Sequence, residues 1–207
     1  MPVLLQNVSP LWGIWKIEES WKELLAQSEQ PDRYLPFLSS YKSDSRKAEW
    51  LAVRLLLKAL TGAETTVAYR PDGSPFLPDL SFHISISHTK GYAAVLLHPD
   101  RPVGIDIEYC SERIRRVTSR FLDGRELTLL GKNPSTASLL ICWSAKETVF
   151  KMTGQTAVDW QKDIHILAGD FSRTCGSLTL RETLSSQPVT RRIYYGTTPE
   201  YVITRSD

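Results

Sequence analysis

The chain has 207 residues and a formal net charge of +2, with 42% hydrophobic and 23% charged residues. These values are typical of a globular protein of one domain or two small ones, and so small a net charge gives no support for a nucleic-acid-binding class. The three cysteines form no CxxC pair, which argues against a disulfide scaffold and favours a reducing cytoplasm. The start, MPVLLQNVSPLWGIW, lacks the pattern of a signal peptide, and no segment predicts a membrane span.

The first half of the chain alternates strand and helix patterns. In chain order it predicts a strand, a helix, a loop and a longer helix at 12–17, 18–28, 30–44 and 46–62. The loop prediction depends on two prolines and several turn-forming residues, and the longer helix ends at Gly62. A strand, the turn PDGSP and a short strand follow. FHISISH and GYAAVLL then predict a hairpin.

The second half loosely repeats this order. After the strand VGIDIE we expect a helical segment at 111–131, broken near Gly124, and a helix at 141–154. Four candidate strands follow, DIHILAG, SLTLRET, RRIYYG and EYVITRS. The pattern indicates an α+β fold with a weak internal duplication into halves 1–102 and 103–207. Unrelated α+β chains also look alike at this level, so the pattern alone leaves the duplication open.

The strand VGIDIE carries two acids on one face. Since side chains alternate along a strand, Gly104, Asp106 and Glu108 share the face opposite the apolar residues. The two carboxylates are then about 6.5 Å apart at their Cα atoms, near enough to reach one hard cation. Gly104 is expected to leave room for a bulky ligand beside them. The alternative is a half-exposed strand whose acids lie in water.

The helix containing WSAKETVFK offers a third acid and two lysines. Trp143, Glu147 and Lys151 are spaced by four and share one face, with Lys146 on the adjacent row. If Glu147 joins the acids of the strand, the three carboxylates repel one another unless a cation such as Mg²⁺ or Mn²⁺ lies among them. The lysines then suit phosphates, and the set is typical of phosphoryl transfer. The alternative is a solvated Glu–Lys pair.

Two further groups could bind an anion. Ser87 and His88 lie at the end of the strand HISISH, where a hydroxyl and an imidazole can donate to phosphate. Arg46 and Arg54 lie along one stripe of the long helix, with Trp50 between them. A plain turn and a solvated helix edge remain open as alternatives.

In chain order these motifs resemble the 4'-phosphopantetheinyl transferases of the long, surfactin-synthetase-activating type. The resemblance is carried by RKAEWLAVR (46–54), SISH (85–88), VGIDIE (103–108) and WSAKETVFK (143–151). It covers roughly residues 46–154, and it depends mainly on the strand acids and the W-x-x-K-E-x-x-x-K motif occurring together.

The resemblance implies a pseudo-dimer of two similar α+β halves with the active site at their interface, in a monomeric protein. It implies coenzyme A as substrate, Mg²⁺ as cofactor and an apo carrier protein as partner. The reaction moves the 4'-phosphopantetheine arm of coenzyme A to a serine of the carrier and releases adenosine 3',5'-bisphosphate.

The resemblance also assigns roles to residues. The metal is held by Asp106, Glu108 and Glu147. Glu147 also activates the serine, and Lys151 assists the leaving group. The coenzyme A contacts are Arg46, Ser87, His88, Lys146 and Lys151, with Arg54 a weaker candidate. Relatives often have Gly-Lys-Pro where this chain has Gly-Ser-Pro at 73–75. Either Lys90 or an arginine replaces that lysine, or coenzyme A binds less tightly.

Other functions and the nature of the carrier stay open at this point. The same acids suit another Mg²⁺-dependent phosphotransferase or phosphodiesterase, and a non-catalytic coenzyme A or carrier-binding module is a third possibility. The carrier could belong to fatty-acid, polyketide or nonribosomal peptide synthesis. Segment 111–122, as a helix, would place an apolar stripe beside Arg113, Arg116 and Arg120 and so suit an acidic carrier. Alternatively, the apolar stripe belongs to the core.

Overall fold

A computed structural model describes residues 3–6 and 10–207. Part of the stretch that bears on the signal-peptide prediction, at residues 1, 2 and 7–9, lies outside the described residues. The chain divides into two compact units. The first comprises the residues up to Arg70 together with Pro75–Arg101, and the second comprises Pro71–Ser74 together with Pro102–Asp207. None of the helices in the described part of the chain is long and apolar enough to cross a membrane.

The first unit is an antiparallel sheet with one long helix packed on it. Its elements are β1 (Val3–Gln6), β2 (Leu11–Lys16), α1 (Trp21–Ala26), α2 (Pro31–Ser39), α3 (Asp44–Thr61), β3 (Ala68–Tyr69), β4 (Pro75–Phe76), β5 (His83–Thr89) and β6 (Tyr92–His98). The main sheet has the order β1-β2-β6-β5, and β3 pairs with β4. The predicted hairpin is confirmed as β5 and β6, which pair in register from His83–His98 to Thr89–Tyr92.

The long helix of this unit forms as the sequence predicts. Helix α3 buries an apolar face that includes Leu51, Leu56 and Leu57, each fully enclosed in the core. It ends at Gly62, whose φ of +83° is a left-handed conformation that costs glycine little. Helix α1 begins at a capping box in which Ser20 and Glu23 exchange side-chain and backbone hydrogen bonds.

The prediction of a loop over 30–44 is wrong because most of that segment is helix α2. Pro31 occupies the first turn, where a missing N–H costs nothing, whereas Pro36 lies inside the helix and removes one intrahelical hydrogen bond. The helix forms in spite of this second proline, so the prolines were a misleading signal. Tyr34 and Leu38, four residues apart, are buried in the core. The ring of Tyr34 meets that of Trp50 edge-on, with 5.4 Å between centroids. This packing stabilises a helix that composition alone disfavours.

The second unit is a five-stranded antiparallel sheet with another long helix packed on it. Its elements are β7 (Ile105–Tyr109), α4 (Gly124–Leu130), α5 (Thr136–Thr153), β8 (Ile164–Gly169), β9 (Cys175–Glu182), β10 (Val189–Thr197) and β11 (Tyr201–Arg205). The sheet order is β7-β11-β10-β9-β8. Helix α5 has 18 residues, as α3 has, and ends at Gly154 with a φ of +66°. The fold is therefore α+β in two halves of similar construction.

The segment after β7 departs from the predicted amphipathic helix. Two short 3₁₀ turns, Glu112–Arg116 and Thr118–Arg120, replace it. Ile114, Phe121 and Leu122 are buried in the core of the second unit. For these residues the alternative interpretation, in which the apolar stripe belongs to the core, is therefore correct. The arginines at 113, 116 and 120 remain exposed.

Candidate functional site

Strand β7 and helix α5 bring the predicted acids and one lysine together. Lys151 Nζ donates to Asp106 Oδ1 at 2.8 Å and to the backbone oxygen of Ile105 at 3.0 Å. Trp143 Nε1 donates to Glu108 Oε1 at 2.8 Å. Since these bonds join residues 45 and 35 positions apart, they result from the packing of the helix on the strand. The helix face that carries Trp143, Glu147 and Lys151 therefore lies against the acid-bearing face of the strand.

Hydroxyl groups fix this packing from the neighbouring strand. Thr204 lies opposite Asp106 in the pairing of β11 with β7. Its Oγ1 is 2.8 Å from Ser144 Oγ and 2.6 Å from Thr148 Oγ1, both on α5. Ser144 Oγ also donates to the backbone oxygen of Asp106. All three hydroxyl-bearing residues are buried, so these hydrogen bonds hold the helix at one register on the strand. The sequence analysis did not identify them.

Burial and neighbouring charge raise the pKa values of Glu108 and Glu147. Burial and the charge of Asp106 raise the pKa of Glu108 to about 7, although the indole of Trp143 and the charge of Lys151 oppose the shift. Burial and Asp106 likewise raise the pKa of Glu147 to about 7, with Glu108 contributing and Lys151 opposing. The charge of Asp106 thus disfavours ionisation of both glutamates.

Gly104 has a different role from the one predicted. A Cβ at this position would lie 2.1 Å from the backbone oxygen of Thr148 and 3.0 Å from Met152 Cγ. The missing side chain lets α5 approach the start of β7 and leaves no room for a bulky ligand there. The expectation of ligand space beside the acids at Gly104 is therefore incorrect. The glycine instead sets how closely the helix packs on the strand.

Lys146 also differs from its prediction. Its side chain is 0% exposed, and Nζ donates to the backbone oxygens of Phe121 at 2.6 Å and Trp160 at 2.7 Å. Its third partner is the carboxylate of Glu126, at 2.8 Å from Oε1 and 2.9 Å from Oε2. An ammonium has three protons, and all three are used here. The structure therefore places Lys146 in the packing of the second unit rather than among the phosphate contacts that the sequence predicted.

The donor set of the acid cluster fits a divalent cation. Across residues 3–6 and 10–207, no three histidine, cysteine, aspartate or glutamate side chains form a ready-made metal-binding group. Asp106, Glu108 and Glu147 nevertheless offer only carboxylate oxygens, the ligands that Mg²⁺ prefers over softer donors. The pKa values of Glu108 and Glu147 are raised first by burial and then by the charge of Asp106, and a divalent cation would relieve that repulsion. The assignment of a metal to these residues stays a prediction.

In the first unit, two of the predicted anion-binding residues lie together. Arg46 Nη1 is 3.3 Å from both ring nitrogens of His88. It also donates to Glu49 Oε2 at 2.9 Å, and His88 Nδ1 is 3.4 Å from the same oxygen. Sequence analysis missed Glu49, although its position three residues after Arg46 was a usable signal. Glu49 thus contacts both the guanidinium of Arg46 and the ring of His88.

The remaining predicted contacts are more enclosed. Ser87 lies on β5 and is 8% exposed. Arg54 is 5% exposed, and its guanidinium stacks over the ring of Trp50 at 3.6 Å while donating to the backbone oxygen of the same residue. This arrangement is a buried cation–π contact, so Arg54 contributes to packing. In the turn at 73–75, Ser74 donates to Asp72 Oδ1 through both its hydroxyl and its backbone N–H.

Comparison with known proteins gives consistent matches. Residues 102–204 match the model of the 4'-phosphopantetheinyl transferase superfamily, and residues 39–98 match that of the 4'-phosphopantetheinyl transferase N-terminal domain. The chain is 28% identical over 128 residues to the 4'-phosphopantetheinyl transferase gsp of Aneurinibacillus migulanus, covering 59% of this chain and 52% of that protein. It is 26% identical over 122 residues to the 4'-phosphopantetheinyl transferase AcpT of Escherichia coli (strain K12), covering 56% of this chain and 62% of that protein.

The chain thus spans about half of the length of the first of these relatives and about three fifths of the second. The two family models describe successive parts of one kind of protein and together account for most of the sequence from residue 39 to residue 204. The first match contains the whole acid cluster of the second unit. The chain belongs to the 4'-phosphopantetheinyl transferase superfamily.

Proposed function

We propose that this protein transfers the 4'-phosphopantetheine arm of coenzyme A to a serine of an apo carrier protein. The observation that carries the proposal is the cluster of Asp106, Glu108, Glu147 and Lys151, which lies within the part of the chain that matches the superfamily. Both relatives are named as 4'-phosphopantetheinyl transferases, which supports the proposal. Three acids and a lysine at one place suit a reaction at a pyrophosphate.

The proposed step exchanges one phosphorus–oxygen bond for another. The serine Oγ of the carrier attacks the phosphorus that bears the pantetheine arm. The bond from that phosphorus to the oxygen bridging the two phosphates breaks, and adenosine 3',5'-bisphosphate leaves with the electron pair. The serine proton goes to a base of the enzyme. No oxidant or reductant is needed.

Asp106, Glu108 and Glu147 are the residues that would hold Mg²⁺. When bound, the cation would neutralise charge on the phosphate oxygens and so favour both attack and departure. Through that cation, the carboxylates would fix where the phosphates of the substrate can lie. Lys151, which donates to Asp106 and to the backbone oxygen of Ile105, would donate to the departing phosphate.

Glu147 is the proposed general base. In the absence of a cation, burial and the charge of Asp106 raise its pKa to about 7. A bound cation would lower this pKa and keep the carboxylate ionised, so that it can accept the serine proton. The loss of the proton from serine then coincides with bond formation to phosphorus.

The other contacts remain proposals for separate tests. Arg46 and His88, joined by Glu49, and the neighbouring Ser87 are proposed to contact phosphates of coenzyme A. The exposed arginines of the 3₁₀ turns are proposed to attract an acidic carrier, although the apolar residues between them belong to the core.

A mass measurement tests the proposed function. The protein is incubated with coenzyme A, Mg²⁺ and each of several apo carriers from fatty-acid, polyketide and nonribosomal peptide pathways, and each carrier is weighed. A gain of one phosphopantetheine on the serine supports the transfer. Hydrolysed coenzyme A with unmodified carriers would support a phosphodiesterase instead. Binding of coenzyme A or of a carrier without any reaction would support a non-catalytic module.

A further inference from the structure

The indole of Trp143 is a donor fixed beside one of the proposed metal ligands. Its Nε1 is 2.8 Å from Glu108 Oε1, a short distance typical of a hydrogen bond to a charged acceptor. This bond occupies one of the two oxygens of the Glu108 carboxylate. The side chain of Glu108 is thereby oriented before any cation arrives.

The indole is itself held by neighbouring rings. Trp143 meets Phe121 edge-on with 5.2 Å between ring centroids, and it meets Trp160 at 5.0 Å. Phe150 packs against Trp160 at 5.4 Å on the same helix side. Phe121 is 1% exposed, so the base of this aromatic cluster lies in the core. A ring packed in this way has little freedom to turn, and its N–H keeps one direction.

The consequence concerns how Glu108 can bind a cation. Mg²⁺ takes six oxygens in near-octahedral geometry, whereas Ca²⁺ takes six to eight and accepts both oxygens of one carboxylate. A carboxylate with one lone pair of one oxygen used by an indole N–H favours coordination through its other oxygen. We propose that Trp143 is a positioning residue that keeps Glu108 monodentate and so makes the acid cluster select Mg²⁺ over Ca²⁺.

The spacing on the helix supports this role. Trp143 and Lys151 lie one turn before and one turn after Glu147, and each donates to one acid of strand β7. Helix α5 thus supplies one acid together with a donor for each of the strand acids. A hydrogen bond from Trp143 to a backbone oxygen of β7 would also attach the helix to the strand. The observed bond instead ends on the carboxylate of Glu108, a proposed ligand of Mg²⁺.

The inference depends on the proposed function, because it assumes that the cluster holds the cation of that reaction. The test is therefore made by metal binding, with coenzyme A present and no carrier protein, so that no turnover occurs. Calorimetry gives the Kd of Mg²⁺ and of Ca²⁺ for the wild-type chain and for Trp143→Phe. Trp160→Phe is the matched control, since Trp160 belongs to the same aromatic cluster and its ring packs on Trp143.

We expect Trp143→Phe to weaken Mg²⁺ binding about 10-fold, the lower end of the range for residues that orient metal ligands. The freed carboxylate can offer both oxygens, so Ca²⁺ binding should weaken less than about 3-fold. The ratio of the two Kd values then shifts toward Ca²⁺. In Trp160→Phe the ratio should stay at the wild-type value, because the indole N–H of Trp143 is retained.

A second substitution covers the case in which the phenylalanine variant does not fold. Site-specific replacement of Trp143 by 3-benzothienylalanine keeps the shape of the indole and removes only its N–H, and it should give the same shift. An unchanged Kd ratio in a folded variant without the N–H would overturn the positioning role while leaving the proposed function in place. A wild-type chain that binds no Mg²⁺ in the presence of coenzyme A would contradict the proposed metal site itself.

Discussion

Lys146→Met removes the cation from the most enclosed ion pair of the second unit. The side chains of Lys146 and Glu126 are 0% and 2% exposed, and Nζ is the donor for the backbone oxygens of Phe121 and Trp160. Methionine keeps most of the length of the side chain but leaves Glu126 charged and those oxygens without this donor. Burial lowers the pKa of Lys146, yet the bonds to Glu126 oppose that shift and favour the charged form.

The expected loss follows from this enclosure. Removing one partner of a buried ion pair costs about 3–5 kcal/mol, because the remaining carboxylate loses its counter-charge and keeps only the backbone hydrogen bonds from Asp123 and Ile166. For a chain of this length, each kcal/mol lowers Tm by about 2–4 °C, so a fall of about 6–20 °C is expected. Adding Glu126→Gln should recover part of the loss, since no unpaired charge then remains. Lys162→Met is the control, because the side chain of Lys162 is 80% exposed in a surface pair.

The assay combines thermal unfolding with the KM for coenzyme A, measured below the transition of each variant. Because Nζ of Lys146 is enclosed and its protons are used, the KM should stay within about 2-fold of wild type while stability falls. If Lys146→Met instead kept its Tm and raised the KM for coenzyme A, the lysine would contact phosphate. The structural placement would then be refuted.

Four further results are expected. Glu147→Gln should lower kcat by at least about 10²-fold at saturating Mg²⁺, the lower end for loss of a general base, and a near-normal kcat would remove that role. Glu108 and Glu147 have pKa values of about 7 in the folded state, above the ordinary 4.5, so the metal-free protein should lose stability as pH rises from about 4.5 to 7. Over the same range and above it, protons compete less with Mg²⁺, so calorimetry should give tighter binding at pH 8 than at pH 6, and a Kd independent of pH would contradict this coupling. Gly104→Ala should lower Tm and activity together, since its Cβ would lie 2.1 Å from the backbone oxygen of Thr148, and an unchanged Tm would show that α5 can move away at no cost.

The periodicity of the sequence was enough to predict the elements that build the acid cluster. Alternation along VGIDIE placed Asp106 and Glu108 on one face, and the spacing of four placed Trp143, Glu147 and Lys151 on another. The structure places these faces against each other through hydrogen bonds at 2.8 Å. Such a prediction works because strand and helix periods are local properties of the backbone.

The errors concern residues whose partners are distant in the sequence. Lys146 meets Glu126 and Trp160, which lie 20 and 14 positions away, so no local pattern showed that its charge is enclosed. Gly104 suggested open space, but that space is filled by a helix about forty residues later. The prolines of α2 suggested a loop because composition does not show the packing that stabilises the helix.

The acid cluster of the second unit is the part of the protein that we propose performs the transfer to a carrier serine. The most direct measurement is the intact mass of an apo carrier that the wild-type protein modifies, after incubation with coenzyme A, saturating Mg²⁺ and the variant Asp106→Ala/Glu108→Ala. Circular dichroism must first show that the variant is folded. We expect one phosphopantetheine per carrier with the wild type and an unmodified carrier with the variant over the same time. Transfer by the folded variant at the wild-type rate would contradict the proposed role of the acid cluster.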